Sequence, residues 1–204
     1  MTKQIQEGFG QTIIDAIRSF ARADLEDADS LESSLFAHVS EPDLRRNLAE
    51  TLYGARWIYK LGLALLVKDE EQLAHVRTQI VDYSAVCEGL LSSMLHHGLT
   101  KQILSGSKYQ FNDTQRLRNP INWNASNTLE QLKKRSFYWM IEVAVEEKII
   151  SSKLARHLHG MRQSRNTVHL RERNQRAFLG TSRSLFKTVL DCCNETKTWK
   201  IANP

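Results

Sequence analysis

Two arginines, an asparagine and a histidine stand between residues 161 and 170 at spacings that group them on a helix. With about 3.6 residues per turn, Arg162, Arg165, Asn166 and His169 fall on one face about 100° wide. A guanidinium group binds two phosphate oxygens at once and stabilises charge that grows on a phosphoryl group. Histidine exchanges a proton near neutral pH. The pattern therefore predicts a face that binds a phosphodiester and has the groups for acid–base chemistry on it.

RNA is the substrate that such a face can cleave without a metal ion. A histidine can take the proton of a ribose 2′-hydroxyl, and the oxygen then attacks the adjacent phosphate. DNA lacks this hydroxyl. A solvated basic helix face would have the same spacing, so the pattern alone leaves both interpretations open.

The same stretch resembles the signature of the HEPN superfamily, the higher eukaryotes and prokaryotes nucleotide-binding domains. That signature is an arginine followed, after four to six residues, by a histidine. Arg162 and His169 have six residues between them. The run from Arg165 to His169 is similar to the family's frequent pattern of Arg-Asn, any residue, an apolar residue and His. Residues 83–91, which include Glu88, resemble the family's earlier core helix. The resemblance covers about residues 70–195 and leaves open whether Arg162 or Arg165 is the motif arginine.

This resemblance implies an all-α, four- to five-helix up-down bundle that is usually dimeric. Many members are metal-independent endoribonucleases whose two motif copies meet at the dimer interface, and others are non-catalytic modules that bind RNA or a protein. It implies catalytic roles for Arg162, Arg165, Asn166 and His169. Glu88 is either an accessory group that orients a residue of the site or a charged residue that flanks the apolar stripe of its helix. The biological settings it implies are toxin–antitoxin systems, stress responses and phage defence, with an antitoxin or another protein as partner.

Further RNA contacts are predicted outside the motif. Residues 99–127 lack a helical period and are rich in polar side chains, which indicates a long loop of the kind that is often functional. Cations interleaved with aromatic residues suit backbone contact and base stacking, although the aromatic residues could instead fix the loop to the core. The candidate RNA-binding residues are Lys108, Tyr109, Arg116, Arg118 and, on the extended motif helix, Arg173.

The elements that must position these residues are helices. Apolar residues recur at helical spacing through most of the chain, and no alternating pattern indicates a sheet. We predict an N-terminal helical extension over 1–67 and a HEPN-like domain over 68–198. Within that domain, helices are expected from Asp69 to a stop at Gly98, from about 128 to 148, from 153 to 173 and from 178 to 195. A structural subunit that uses 1–67 for assembly is the remaining alternative.

The composition narrows the setting. Residues 101–204 carry 19 basic and 8 acidic side chains, whereas residues 1–100 carry 9 and 15, so the second half is expected to face a polyanion. Three cysteines, an odd number, argue against a disulfide framework. The chain shows no signal peptide and no apolar run of about 20 residues, which predicts a cytoplasmic protein with no membrane contact. No histidine pair has metal-ligand spacing, so neither metal nor cofactor is expected.

Overall fold

The structure is a computed structural model that describes residues 10–104, 130, 132, 134–166 and 179–204. Over these residues it is all-α, with seven helices and no strand, which confirms the predicted fold class at that level. The helices are α1 (Gln11–Arg22), α2 (Ala28–Ser33), α3 (Pro42–Ala64), α4 (Asp69–Thr100), α5 (Phe137–Glu146), α6 (Ser152–Asn166) and α7 (Leu179–Ala202). No helix in this described part is long and apolar enough to cross a membrane.

Helix α4 is the centre of the fold, because α3, α5, α6 and α7 all pack against it. Leu90 and Leu91 on α4 are fully buried, as are Leu158 on α6 and Val189 on α7. Full burial of such an apolar side chain contributes about 1.5–3 kcal/mol to the free energy of unfolding. Burial on neighbouring faces explains why α4 needs apolar residues around most of its circumference rather than along one stripe.

Hydrogen bonds between helices give the relative directions of two helix pairs, and a short turn gives that of a third. His75 on α4 lies against Ile58 of α3, and Ser93 lies against Glu41 at the start of α3, so α3 and α4 are antiparallel. Gln79 contacts Ser182 and His97 contacts Lys200, so α4 and α7 run parallel. The short turn between α5 and α6 makes these two helices an antiparallel hairpin, as the site contacts below show.

Helices α2 and α3 share the core of the bundle. The predicted boundary at 67/68 falls between α3 and α4, and residues on both sides belong to one hydrophobic cluster. Phe36 and Leu52 are buried in this cluster together with Tyr83 and Leu90 of α4. Helix α3 packs against both α2 and α4 and so connects the short helix α2 to the bundle. Such packing is needed because a short helix has little stability of its own.

Two predicted helix ends are wrong for identifiable reasons. Helix α4 continues through Gly98 to Thr100, and the left-handed residue that follows it is Gln102, with φ 57°. Gly98 is instead a close-packing position, since a Cβ there would lie 2.6 Å from the side chain of Leu104. The helix expected from 128 to 148 is interrupted at 134–136, and α5 begins after Ser136, whose hydroxyl accepts a hydrogen bond from the Trp139 amide.

The last helix also exceeds its prediction, because α7 extends from Leu179 to Ala202 rather than ending near 195. Trp199 is buried in the core and explains the extra turns. His97 adds a hydrogen bond from Nε2 to the Asn203 carbonyl, at 2.7 Å. The C-terminal residues are therefore part of the folded bundle, and their packing partner is the end of α4.

Candidate functional site

Helix α6 carries the described part of the predicted motif, and its start is fixed by Ser151. The Ser151 hydroxyl accepts a hydrogen bond from the Leu154 amide at 3.1 Å, which satisfies one of the free N–H groups at the helix start. The same hydroxyl donates to Glu195 Oε1 at 2.9 Å. This contact ties the first turn of α6 to α7 and helps to set how the helix is rotated.

Apolar residues then set which face of α6 reaches solvent. Leu154, Leu158 and Met161 are buried at helical spacing. Arg162 and Arg165 are half-buried, and Asn166 is exposed at the last residue of the helix. Over residues 152–166 the helix therefore has a core face and a separate polar face.

The central contact of the site joins α6 to α4. Nη1 of Arg165 donates to Oε2 of Glu88 at 2.6 Å, and both side chains are partly shielded, with 38% and 29% of their surfaces exposed. A charge-assisted bond of this length holds the guanidinium in one orientation. Because only Nη1 makes this contact, other N–H groups of the guanidinium remain available to an anion. Glu88 was expected as an accessory group, and the structure places its carboxylate beside one of the two candidate motif arginines.

The other candidate arginine has a different environment. The guanidinium carbon of Arg162 lies 5.1 Å from the centre of the Tyr138 ring, in a cation–π contact with α5. Nε of Arg162 is shielded from water and has no hydrogen-bond partner among the described residues. A shielded N–H group without a partner is unfavourable. Arg162 therefore retains hydrogen-bonding capacity that Arg165 has partly used.

The motif histidine cannot be located in the same way. His169 and Arg173 lie outside the described residues, as do Lys108, Tyr109, Arg116 and Arg118 of the predicted RNA-binding loop. Of the residues predicted to act together, the structure therefore describes Arg162, Arg165, Asn166 and Glu88. The predictions for the remaining six stay predictions.

Three residues that the sequence patterns did not single out complete this surface. Nε2 of His159 lies 2.7 Å from Oε1 of Glu142, and the His159 ring lies 5.1 Å from the ring of Tyr138. Tyr138 thus contacts both His159 and Arg162. A sequence signal for this cluster exists, because 138 and 162, like 142 and 159, are almost equally distant from residue 150, which lies in the connection between α5 and α6. In an antiparallel helical hairpin such positions face each other.

The sequence contains two close histidine pairs, 96/97 and 157/159, and the two members of each pair have different surroundings. His96 Nδ1 lies 3.1 Å from Glu41, while Nε2 of the adjacent His97 bonds to the Asn203 carbonyl. His157 is exposed, whereas His159 pairs with Glu142. In the described ranges, no group of three or more histidine, cysteine or acidic side chains is placed to hold a metal ion.

Taken together, the described site is a polar surface on α6 with its flanks on α4 and α5. It offers two guanidinium groups, one amide and one imidazole, with two carboxylates that orient Arg165 and His159. These groups can bind an anion and exchange a proton. Comparison of the chain with family models, with curated proteins and with solved structures finds no match.

Proposed function

We propose that this chain is a metal-independent endoribonuclease of the HEPN type that works as a homodimer. The observation that carries the proposal is the ion pair of Arg165 with Glu88, at 2.6 Å. These residues belong to the two segments that resemble HEPN motifs, and they are 77 positions apart in the chain. A fixed pairing between the segments supports a common site, whereas freely moving surface arginines would need no such partner.

The roles of the residues follow from their chemistry. Arg165, held by Glu88, and Arg162, whose guanidinium lies over the Tyr138 ring, bind the oxygens of the scissile phosphate. His169 exchanges a proton with the reacting groups, and Asn166 positions the substrate by hydrogen bonds. The ribose 2′-oxygen loses its proton, attacks phosphorus and displaces the 5′-oxygen, which gains a proton. The products are a 2′,3′-cyclic phosphate and a free 5′-hydroxyl.

The dimer and the biological setting rest on the family resemblance. In HEPN ribonucleases the two motif copies meet at the subunit interface, so we expect the α6 faces of two protomers to border one cleft. A role in toxin–antitoxin systems, stress or phage defence, with an antitoxin or other protein partner, belongs to the same proposal. A non-catalytic HEPN module that binds RNA or a protein is the alternative.

The test is cleavage of a labelled single-stranded RNA by the purified full-length protein. We expect Arg162→Ala and His169→Ala to lower the rate by about 10²-fold or more, as expected for the loss of a charge-stabilising or proton-transfer group. Arg156→Ala is the matched control, because Arg156 is an exposed arginine of the same helix outside the predicted motif. It should retain the wild-type rate. Added chelator should not change the rate, because the proposed acid and base are side chains.

Three outcomes separate the alternatives. Cleavage that depends on Arg162 and His169, and that fails when the scissile ribose is 2′-deoxy, supports the ribonuclease. Binding of RNA that weakens with salt, without turnover, favours the non-catalytic module. No affinity for RNA, together with tight binding of a protein partner, favours a structural adaptor and overturns the proposal.

A further inference from the structure

The surface next to Arg162 contains a second histidine in a defined orientation. On an ideal helix, His159 lies one turn before Arg162 and about 60° around the axis from it, on the side of Asn166. Its Nε2 lies 2.7 Å from Glu142 Oε1, and 23% of its side chain is exposed. His159 is therefore held in place yet remains accessible from solvent.

The contact with Glu142 determines which ring nitrogen is free. An ionised carboxylate only accepts hydrogen bonds, so Nε2 of His159 must be the protonated, donating nitrogen. In the neutral ring, Nδ1 then carries the lone pair. None of the described residues makes a hydrogen bond to Nδ1. A carboxylate that fixes one ring nitrogen while the other is free is the arrangement that acid–base histidines use.

Tyr138 couples this imidazole to the candidate phosphate-binding arginine. Its ring centre is 5.1 Å from the His159 ring centre and 5.1 Å from the guanidinium carbon of Arg162. One half-buried aromatic ring therefore limits the positions of both groups. A phosphate held by Arg162 would lie within about one helical turn of His159, the separation of the two residues along α6.

We infer that His159 is a second acid–base residue of the ribonuclease site, with Glu142 as its positioning residue. The inference rests on the proposed function and completes its proton balance. Cleavage requires one group to take the proton of the 2′-hydroxyl and another to give a proton to the departing 5′-oxygen. His159 supplies one of these groups, and the proposed function assigns the other to His169. Each histidine ends in the protonation state from which the other began, and proton exchange with solvent after product release restores both for the next turnover.

The test measures kcat and KM for RNA cleavage between pH 5 and 9. We expect a bell-shaped dependence of kcat for the wild type, because one histidine must be neutral and the other protonated. His159→Ala should lower kcat by about 10²-fold or more and abolish one limb of the bell. KM and affinity for a non-cleavable 2′-O-methyl oligonucleotide should stay near wild type. Free imidazole should restore part of the lost rate. Glu142→Gln should lower kcat less than His159→Ala does, and it should shift the same limb of the kcat profile along the pH axis.

His157→Ala is the matched control, since His157 is exposed on the same helix, and it should keep the wild-type rate and profile. His159→Asn provides a second variant with a polar side chain if the alanine variant does not fold. A folded His159 variant that cleaves RNA at the wild-type rate and with the wild-type pH profile would overturn the role of His159. It would leave the proposed ribonuclease activity intact. Loss of rate without imidazole rescue and with both limbs retained would also overturn it. A wild type that cleaves no RNA would overturn both proposals.

Discussion

The guanidinium of Arg165 and the carboxylate of Glu88 form a 2.6 Å contact between α6 and α4. The pair is neither fully buried nor freely exposed, with side-chain exposures of 38% and 29%. Partial exposure leaves the arginine within reach of a ligand, and the carboxylate restricts its orientation. The pair therefore has the character of a positioning contact more than of a core stabiliser.

The first prediction separates these two roles of the pair. Glu88→Gln should lower the free energy of unfolding by only about 0.2–1 kcal/mol, the usual range for partly exposed ion pairs. RNA cleavage should fall by more than this change in stability explains, because Arg165 is no longer held. Urea unfolding and cleavage rates of Glu88→Gln, Arg165→Ala and the double variant measure both effects. If the loss of activity in the double variant equals the sum of the losses in the two single variants, in free-energy terms, the two residues act independently and the prediction is wrong.

The second prediction is that the N-terminal helices and the rest of the bundle unfold as one cooperative unit. Phe36 is fully buried and belongs to the same hydrophobic cluster as α4. Phe36→Ala should therefore lower the free energy of unfolding by about 3–5 kcal/mol. Because the cluster spans the 67/68 boundary, unfolding should remain a single transition for fluorescence and circular dichroism alike. Two separate transitions, of which only one responds to the substitution, would mean that residues 1–67 fold independently.

The third prediction concerns the thiols. Cys87, Cys192 and Cys193 are free and buried. A hydrogen bond with Cys192 and burial raise the pKa of Cys87, and burial raises the pKa of Cys193. Since the thiolate is the reactive form, native protein at pH 8 should react with DTNB far more slowly than unfolded protein. Denatured protein should titrate three thiols. Rapid native labelling would contradict the close packing of α4 against α7.

The fourth prediction concerns stability in mild acid. Burial, with a smaller contribution from Lys197, lowers the pKa of His38 from 6.5 to about 4. Between these two values the unfolded chain binds a proton that the folded chain excludes, so stability is present above pH 6.5 and is lost as the pH falls. The loss attributable to this residue should be on the order of 1–3 kcal/mol.

The matched variant for this prediction is His38→Gln. Nε2 of His38 lies 3.0 Å from the Thr196 hydroxyl, a hydrogen bond that an amide can replace without titrating. Urea midpoints of wild type and variant should converge as the pH is lowered from 7.5 to 5. This range stays above the region in which Glu41 titrates, because hydrogen bonds from Ser93 and His96 lower the pKa of that carboxyl. Parallel curves would show that His38 does not titrate as expected.

Much of the helical framework was predictable because it depends on local periodicity. The spacing of Leu73, Val76, Ile80 and the residues after them predicts α4, and the Pro42 start of α3 follows from the preference of proline for the first helical turn. Helix ends were less predictable. Gly98 looked like a stop but serves close packing against Leu104, which depends on a residue beyond the helix.

The sequence by itself determined the all-α class and the amphipathic character of α6. These follow from side-chain types repeating along one helix, so no knowledge of the other helices is needed. Tertiary structure alone decided that Glu88 reaches Arg165. It also decided the contacts of Tyr138 with Arg162 and of Glu142 with His159, for which the sequence offered only similar distances from the turn of a hairpin. Such contacts depend on the rotation and offset of packed helices. These are set by many core side chains acting together, which a one-dimensional spacing does not encode.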